Sequence, residues 1–338
     1  MRVLVTGSAG FIGFHVARRL LSDGHEVLGL DGLTPYYDVE LKKSRHRLLA
    51  SEQGFTPLIA MLEDREHIAG AVEGFAPEIV VHLAAQAGVR HSISHPEAYL
   101  SANVVGTMQL LEALRAAPPR HFLLASTSSV YGGNMRMPFS ETDRTDFPVS
   151  LYAASKKACE ALTHSYAHLY RIPVTCFRFF TVYGAWGRPD MALFKFVAAI
   201  EAGDPIDVFG DGRMKRDFTY VLDLVEAVRR LIEAVPVAGS PVTAPNVVDS
   251  LSPVAPWRTV NVAHGEPVEL TRFIETIERV VGRRAIRRMQ PMQPGDVVGT
   301  WADSGLLRAL VGELPTTALE AGIKDFVDWH RQWTGKVA

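Results

Sequence analysis

The chain is poor in cysteine, in excess charge of either sign and in long apolar runs. Cys159 and Cys176 are its only two cysteines. Each sits in a periodic apolar segment of the kind that holds a buried thiol, which argues against a disulfide framework and for a reducing compartment. Lys and Arg total 35 against 37 Asp and Glu, a formal charge of -2. No basic excess therefore points to nucleic acid or to an anionic membrane surface. Any anion must be held by a local site. No window reaches the ~18 apolar residues that a membrane span needs. The opening MRVLVTGSAG shows no basic leader ahead of a long apolar stretch, so the expected location is cytoplasmic. No internal repeat is present.

What remains is ordinary globular material: 338 residues, 47% hydrophobic and 21% charged. That is enough for two packed lobes or one large α/β unit. Arg2–Thr6, Glu26–Asp31, Phe55–Ile59, Glu78–Leu83, His121–Ser126 and Pro173–Phe180 are short β-branched or leucine-rich runs that read as strands, and the stretches between them read as amphipathic helices. Such alternation implies right-handed crossovers and a Rossmann-like, doubly wound parallel sheet with helices on both faces, whose ligand lies beyond the carboxyl ends of the strands. Residues 1–182 are assigned to this domain. Gly and Pro breaks then begin a smaller α/β lobe, expected over 183–219 and 264–338, with 220–234 and 258–263 returning to the first domain. Val235–Trp257, rich in Pro, Ser, Val and Ala without period, is expected to be an exposed loop.

The first strand runs straight into Gly7-Ser8-Ala9-Gly10-Phe11-Ile12-Gly13 and a helix. Glycines there permit a tight turn and let a pyrophosphate approach the helix N-terminus, where amides and dipole favour an anion. Asp31 ends the second strand, where a carboxylate can accept from ribose hydroxyls and would repel a 2′-phosphate, which favours NAD over NADP. Tyr152 and Lys156 open a later helix at i, i+4 spacing and so share one face. A phenol titrates near ~10, so service as a base near neutrality needs its phenolate favoured by about 3 units, or ~4 kcal/mol. Lys156 and a positive nicotinamide ring could provide that. Thr127, at a strand end within Ser126-Thr127-Ser128-Ser129, is the choice for a third hydroxyl in the proton network. An exposed helix with an incidental Tyr and Lys is the plainer alternative, and the nucleotide fingerprint counts against it. His164 and His168 lie four apart but lack the Glu of a zinc motif, so they are read as packing or interface residues and no metal is expected.

With these motifs the chain resembles the extended short-chain dehydrogenase/reductases. Within them it is most similar to the UDP-glucuronate 4-epimerases, through Pro35-Tyr36-Tyr37-Asp38, Ala84-Ala85-Gln86-Ala87-Gly88-Val89-Arg90 and Arg178-Phe179-Phe180-Thr181-Val182-Tyr183-Gly184. Trp186-Gly187-Arg188-Pro189-Asp190-Met191, Lys215-Arg216-Asp217-Phe218-Thr219-Tyr220 and Pro291-Met292-Gln293-Pro294-Gly295-Asp296 continue the match. The resemblance implies a catalytic triad of Thr127, Tyr152 and Lys156. It adds Lys42, Leu62, Leu83, Ala84, Ala85, Gln86 and Phe179 to the cofactor contacts. Arg188 and Arg216 fall near the UDP phosphates or sugar, Arg90 near the uronate, Val208 and Phe209 beside the uracil, and Asp296 at the uridine ribose.

Dehydratases of this family carry Asp-Glu at the positions of Ser128 and Ser129, and decarboxylases typically Glu at the latter. Hydroxyls alone favour simple epimerisation. Thr181 stands where neutral-sugar epimerases place Asn, so the cluster of Thr127, Ser128, Ser129 and Thr181 suits a C6 carboxylate. The implied reaction interconverts UDP-glucuronate and UDP-galacturonate through a 4-keto sugar with retained NAD. The alternatives are a UDP-glucuronate decarboxylase, a neutral UDP-hexose 4-epimerase, or a non-catalytic NAD-binding regulator. One departure stands out: Met61 replaces the Asp that usually meets the adenine amine. Pro96–Ala117 and Ser150–Tyr170 read as helices with long apolar faces, and the resemblance implies that they pair in a homodimer.

Overall fold

A computed structural model describes residues 1–292 and 298–335. The chain runs through β1 (Arg2–Thr6), α1 (Phe11–Ser22), β2 (Glu26–Asp31), α2 (Val39–Ala50), β3 (Phe55–Ile59), α3 (Arg65–Phe75) and β4 (Ile79–His82). Two short helices, α4 (His91–Ser94) and α5 (Pro96–Tyr99), lead through a π turn (Leu100–Val105) into α6 (Gly106–Leu114). Next come β5 (His121–Thr127), α7 (Leu151–Tyr170), β6 (Val174–Phe179), β7 (Thr181–Tyr183), α8 (Ala192–Ala202), β8 (Pro205–Phe209) and β9 (Lys215–Tyr220). The remainder is α9 (Val221–Leu231), β10 (Trp257–Val262), β11 (Pro267–Glu269), α10 (Leu270–Val281), β12 (Ile286–Gln290), β13 (Gly299–Thr300), α11 (Gly305–Val311) and α12 (Leu319–Trp333).

The main sheet has seven parallel strands in the order β10-β6-β5-β4-β1-β2-β3. Strand neighbours alternate between its two faces. Val3, Val5, Ile79 and Val81 enter one core with α1, α2 and α9, whereas Leu4, Val80, Phe122 and Leu124 enter another with α3, α6 and α7. Each such side chain, fully buried, is worth roughly 2 kcal/mol. Period-two burial on both sides explains why the strands are almost wholly apolar. The order reverses between β1 and β4, and the cleft opens at that switch point.

The chain leaves this sheet after β6. β9 is the hub of a second sheet, pairing with β7, β11 and β13, while β8 and β12 form a parallel pair. Between these excursions α9 packs on α1, and β10 joins the main sheet beside β6.

Two expectations need correction. The apolar pattern from Pro96 is not one helix but α5, a π turn and α6. The segment from Val235 is exposed only in part: Ala255 and Ser252 are buried, and Asp249 forms a buried ion pair with Arg258 at 2.6 Å. The loop turns back on α7, where His164 Nε2 meets Ser252 Oγ at 2.8 Å and His168 Nδ1 meets the Val254 carbonyl at 2.9 Å. Those contacts account for both histidines as packing residues. Among the described residues, no helix is long and apolar enough to cross a membrane.

Candidate active site

A cleft of about 280 Å³ runs across the carboxyl edge of the main sheet. Gly7, Gly10, Phe11, Ile12 and Gly13 line it at the β1–α1 turn, Asp31 at the end of β2, and Leu83, Ala84, Ala85 and Gln86 beyond β4. Thr127, Tyr152, Lys156, Phe179, Lys42, Leu62 and Arg188 also line it.

The turn admits no side chain. Gly7 has φ +73°, and a Cβ there would lie 2.8 Å from the Ala84 nitrogen; one on Gly13 would lie 2.0 Å from the Gly7 carbonyl oxygen. This bare backbone at a helix N-terminus fits a pyrophosphate. Asp31 is fixed by the two loops it joins: its carboxylate accepts from the Ala9 amide at 3.0 Å and the Leu33 amide at 2.8 Å. Lys42 donates to the Thr34 carbonyl at 2.7 Å and to its Oγ1 at 3.0 Å, and burial pulls its pKa down. Glycine turn, acidic strand end and apolar flanks together fit a dinucleotide.

Tyr152 stands in the first turn of α7, whose N-cap Ser150 accepts from the Ala153 amide at 3.1 Å. Lys156 follows one turn on and is 2% exposed. The Tyr99 ring meets the Tyr152 ring edge-on at 6.0 Å. Thr127 Oγ1 donates to Ser129 Oγ at 3.2 Å and accepts from the Ser129 amide at 3.2 Å. Ser128 and Ser129 belong to a 3₁₀ turn and are not among the residues lining the cleft. The strand end is braced from below: Ser126 Oγ donates to Glu160 at 2.6 Å, and Glu160 is paired with Arg178 at 2.9 Å, both buried.

The sugar-side residues come from several segments. Arg188 makes a two-pronged pair with Asp190 at 3.0 and 2.6 Å, and Tyr36 donates its hydroxyl to the same carboxylate at 3.2 Å. The Arg90 guanidinium lies 5.1 Å from the Phe209 ring, joining the loop after β4 to the smaller lobe. Arg216 donates to the Lys215 carbonyl at 2.9 Å. The Val208 side chain is only 2% exposed and belongs to the apolar core, which leaves its backbone for any uracil contact. Thr181 lines an adjoining apolar pocket of about 40 Å³, which shares Phe11, Val182, Arg188 and Met191 with the main cleft. Asp296 lies outside the described residues.

Sequence reading passed over several residues that shape this site. Asn103, buried in the π turn, accepts from the Gln86 amide at 2.7 Å and donates to the Gln86 carbonyl at 3.0 Å and to Ser155 Oγ at 2.9 Å, tying the loop after β4 to α7. Arg45 is 0% exposed and donates to the Ala9 carbonyl at 2.9 Å, the Tyr37 hydroxyl at 2.8 Å and the Trp186 carbonyl at 2.6 Å. His15 Nε2 meets the neighbouring Ala185 carbonyl at 2.8 Å; burial lowers its pKa to about 4, so the ring is neutral near pH 7. These two side chains hold Trp186 at φ +60° and fasten the glycine turn to the loop that carries Arg188. A lone Arg or His in a helix gives no sign of such a reach. The nearest available signal was Arg45 falling on the apolar stripe of α2 with Leu41 and Leu49.

Comparison with known proteins follows the same lines. Residues 3–242 match the NAD dependent epimerase/dehydratase family. The chain is 56% identical over 332 residues to the probable UDP-glucuronate 4-epimerase of Rhizobium meliloti, covering 98% of this chain and 97% of that one. It is 41% identical over 338 residues to UDP-glucuronate 4-epimerase 1 of Arabidopsis thaliana, covering 98% of this chain and 77% of the other. Among solved structures, the UDP-glucuronic acid 4-epimerase of Bacillus cereus, in complex with UDP-glucuronic acid and NAD, superposes with a TM-score of 0.87 at 30% identity, covering 98% and 100% of the two chains.

Proposed function

The chain belongs to the NAD-dependent epimerase/dehydratase family, and from that footing we propose that it is a UDP-glucuronate 4-epimerase, interconverting UDP-glucuronate and UDP-galacturonate. The observation that carries most weight is that Thr127, Tyr152 and Lys156 line the same cleft as the glycine turn and Asp31. Relatives at 56% and 41% identity bear the same activity in their names.

NAD, which Gly7, Gly10, Gly13 and Asp31 would hold, would supply a reversible hydride acceptor for C4′. The protein's own work is proton transfer and restraint. Tyr152 takes the C4′ hydroxyl proton on its phenolic oxygen. Lys156 follows one turn on along the same face of α7. Thr127 shares the proton network through its hydroxyl. The 4-keto sugar must swing about its diphosphate before reduction, so the anchor is the nucleotide. Arg188, preset by Asp190 and Tyr36, offers a planar fork to a phosphate or carboxylate oxygen. The intermediate is a β-keto acid that loses CO2 when its carboxylate aligns with the carbonyl π system. Thr127, in the cleft, and Thr181, in the adjoining pocket, are the hydroxyls set to hold the carboxylate away from that alignment, and no side-chain acid stands at 128 or 129 to assist elimination.

Two further assignments accompany this reading. The exposed apolar residues Leu100, Val105 and Met108, with Leu169 of α7, support pairing of this face with a second copy in a homodimer. The free, buried thiols of Cys159 and Cys176 support a reducing, cytoplasmic setting.

Proton NMR of the purified protein with UDP-glucuronate and no added NAD tests the activity. The expected product is UDP-galacturonate alone, and Tyr152→Phe lowers the rate by about 10³-fold. A UDP-pentose with CO2 would instead make the enzyme a decarboxylase.

A further inference from the structure

The loop that presents Arg188 is held in a strained shape by the other lobe. Trp186 has φ +60°, a left-handed conformation that is unfavourable for a bulky residue and persists only where its surroundings impose it. Gly187 beside it is packed so closely that a Cβ there would stand 3.0 Å from the Gly184 carbonyl oxygen. Three successive carbonyls are met by side chains of the large lobe: Ala185 by His15 Nε2 at 2.8 Å, and Trp186 and Gly187 by Arg45 Nη2 at 2.6 and 3.4 Å. The Trp186 ring packs on Phe14 of α1 and on Trp329 of α12, each with ring centres 5.3 Å apart.

Arg45 is the link that joins this loop to the cofactor turn. Its other terminal nitrogen, Nη1, donates to the Ala9 carbonyl at 2.9 Å and to the Tyr37 hydroxyl at 2.8 Å, so one planar fork spans the glycine turn and the substrate loop. The side chain is 0% exposed and is not among the residues lining the cleft. Its hydrogen-bond partners are carbonyl and phenol oxygens, none of them a carboxylate. Burying a guanidinium against neutral acceptors is less favourable than filling the same space with an apolar side chain. What the guanidinium adds is direction, because a rigid fork fixes two groups at a set angle and spacing.

We propose that Arg45 is a positioning residue for the sugar nucleotide: it holds the Trp186 and Gly187 carbonyls against the glycine turn and thereby presents Arg188 to the substrate at a fixed place beside the cofactor. The assignment rests on the role given to Arg188 above and extends it to a residue outside the cleft wall.

A double-mutant cycle in steady-state kinetics with UDP-glucuronate tests it, with rates expressed per NAD-loaded site. Arg45→Met, which fills the space and loses the fork, should raise KM by about 10-fold, the order of one hydrogen bond to a charged group. Turnover per loaded site and NAD content should hold, since Ala9 stays tied to Asp31 through its amide. Arg45→Lys can bond the turn or the loop but not both; it should follow the same pattern with a smaller rise, and it carries the test if the Met variant does not fold. In an Arg188→Ala background either substitution should change KM by less than about twofold, because nothing remains to be presented. A full rise in KM that persists in that background, an unchanged KM, or loss of NAD with KM unaffected would make Arg45 a structural support only and overturns the assignment while leaving the Arg188 reading intact. An Arg188→Ala protein with the wild-type KM overturns both.

Discussion

The two halves of the cleft are built by different means. On the dinucleotide side the contact surface is mostly backbone, and the side chains that matter are pinned by near neighbours: Asp31 by the amides of Ala9 and Leu33, Lys42 by Thr34. On the sugar side the surface is made of side chains that meet only because the lobes meet. Arg188 and Asp190 follow β7, Tyr36 follows β2, and Arg90 reaches Phe209 at the end of β8. A backbone surface tolerates no added atoms, so its glycines cannot be exchanged. A side-chain surface can be retuned one residue at a time, which suits the half that must distinguish a uronate from a neutral sugar.

Substitutions on each side should therefore fail differently. The largest effect is expected from Gly13→Ala, because the new Cβ would stand 2.0 Å from the Gly7 carbonyl oxygen. The turn must open, and NAD affinity should drop by about 100-fold or more, well beyond the loss of one hydrogen bond. NAD content after purification measures it, and a variant with a full complement would show that the turn is less confined than described.

Next is Arg188→Ala, expected to raise KM for UDP-glucuronate by about 10- to 100-fold while NAD content stays constant. Arg188→Lys should recover little, since an ammonium cannot reproduce the two-pronged fork. Equal loss of both ligands in steady-state kinetics and NAD assay would erase the distinction between the two halves.

Thr181→Ala should have a smaller effect, a rise of a few fold in UDP-pentose and CO2 per turnover, on the order of one neutral hydrogen bond. Product analysis showing no extra CO2 would count against a role for Thr181 in restraining the carboxylate.

The smallest expected effect is on stability and belongs to the large lobe as a whole. Burial lowers the pKa of His15 to about 4, of His82 to about 3 and of His121 to about 4. An unfolded histidine takes up its proton near ~6.5. Stability from these three groups is thus complete above that pH and is lost as pH falls toward 4. Glu141 acts in the opposite sense: burial raises its pKa to about 7, so its contribution is complete below the ordinary carboxylate range and fades as pH rises toward 7. Three histidines outweigh one carboxylate, and Tm should fall by about 5 °C between pH 7 and pH 5. Calorimetry giving a flat or rising Tm over that interval would show that the histidines are not held neutral.

Much of the large lobe was legible in the chain. The β1, β2 and β3 runs agree with the expected bounds to the residue; in β1 and β2 apolar residues buried on both faces of the sheet leave a dense, unmistakable run, whereas no residue of the edge strand β3 is buried. The glycine turn is equally plain, since its geometry excludes every other residue. Less was legible at Leu100–Val105, where the π turn that buries Asn103 keeps the periodicity of an ordinary helix. The segment from Val235 has no period at all, yet Ala255 is fully buried under α7. Composition marks a loop and is silent about what the loop rests on.

Neighbouring residues suffice to specify strands, turns and the Tyr152–Lys156 spacing, because the forces that select them act within a few positions of the chain. They cannot specify that Arg45 bonds to Trp186 across 141 positions or that Arg90 faces Phe209. Those depend on which faces pack together, and burial and hydrogen bonding between distant segments acquire their energies once the chain has closed around them.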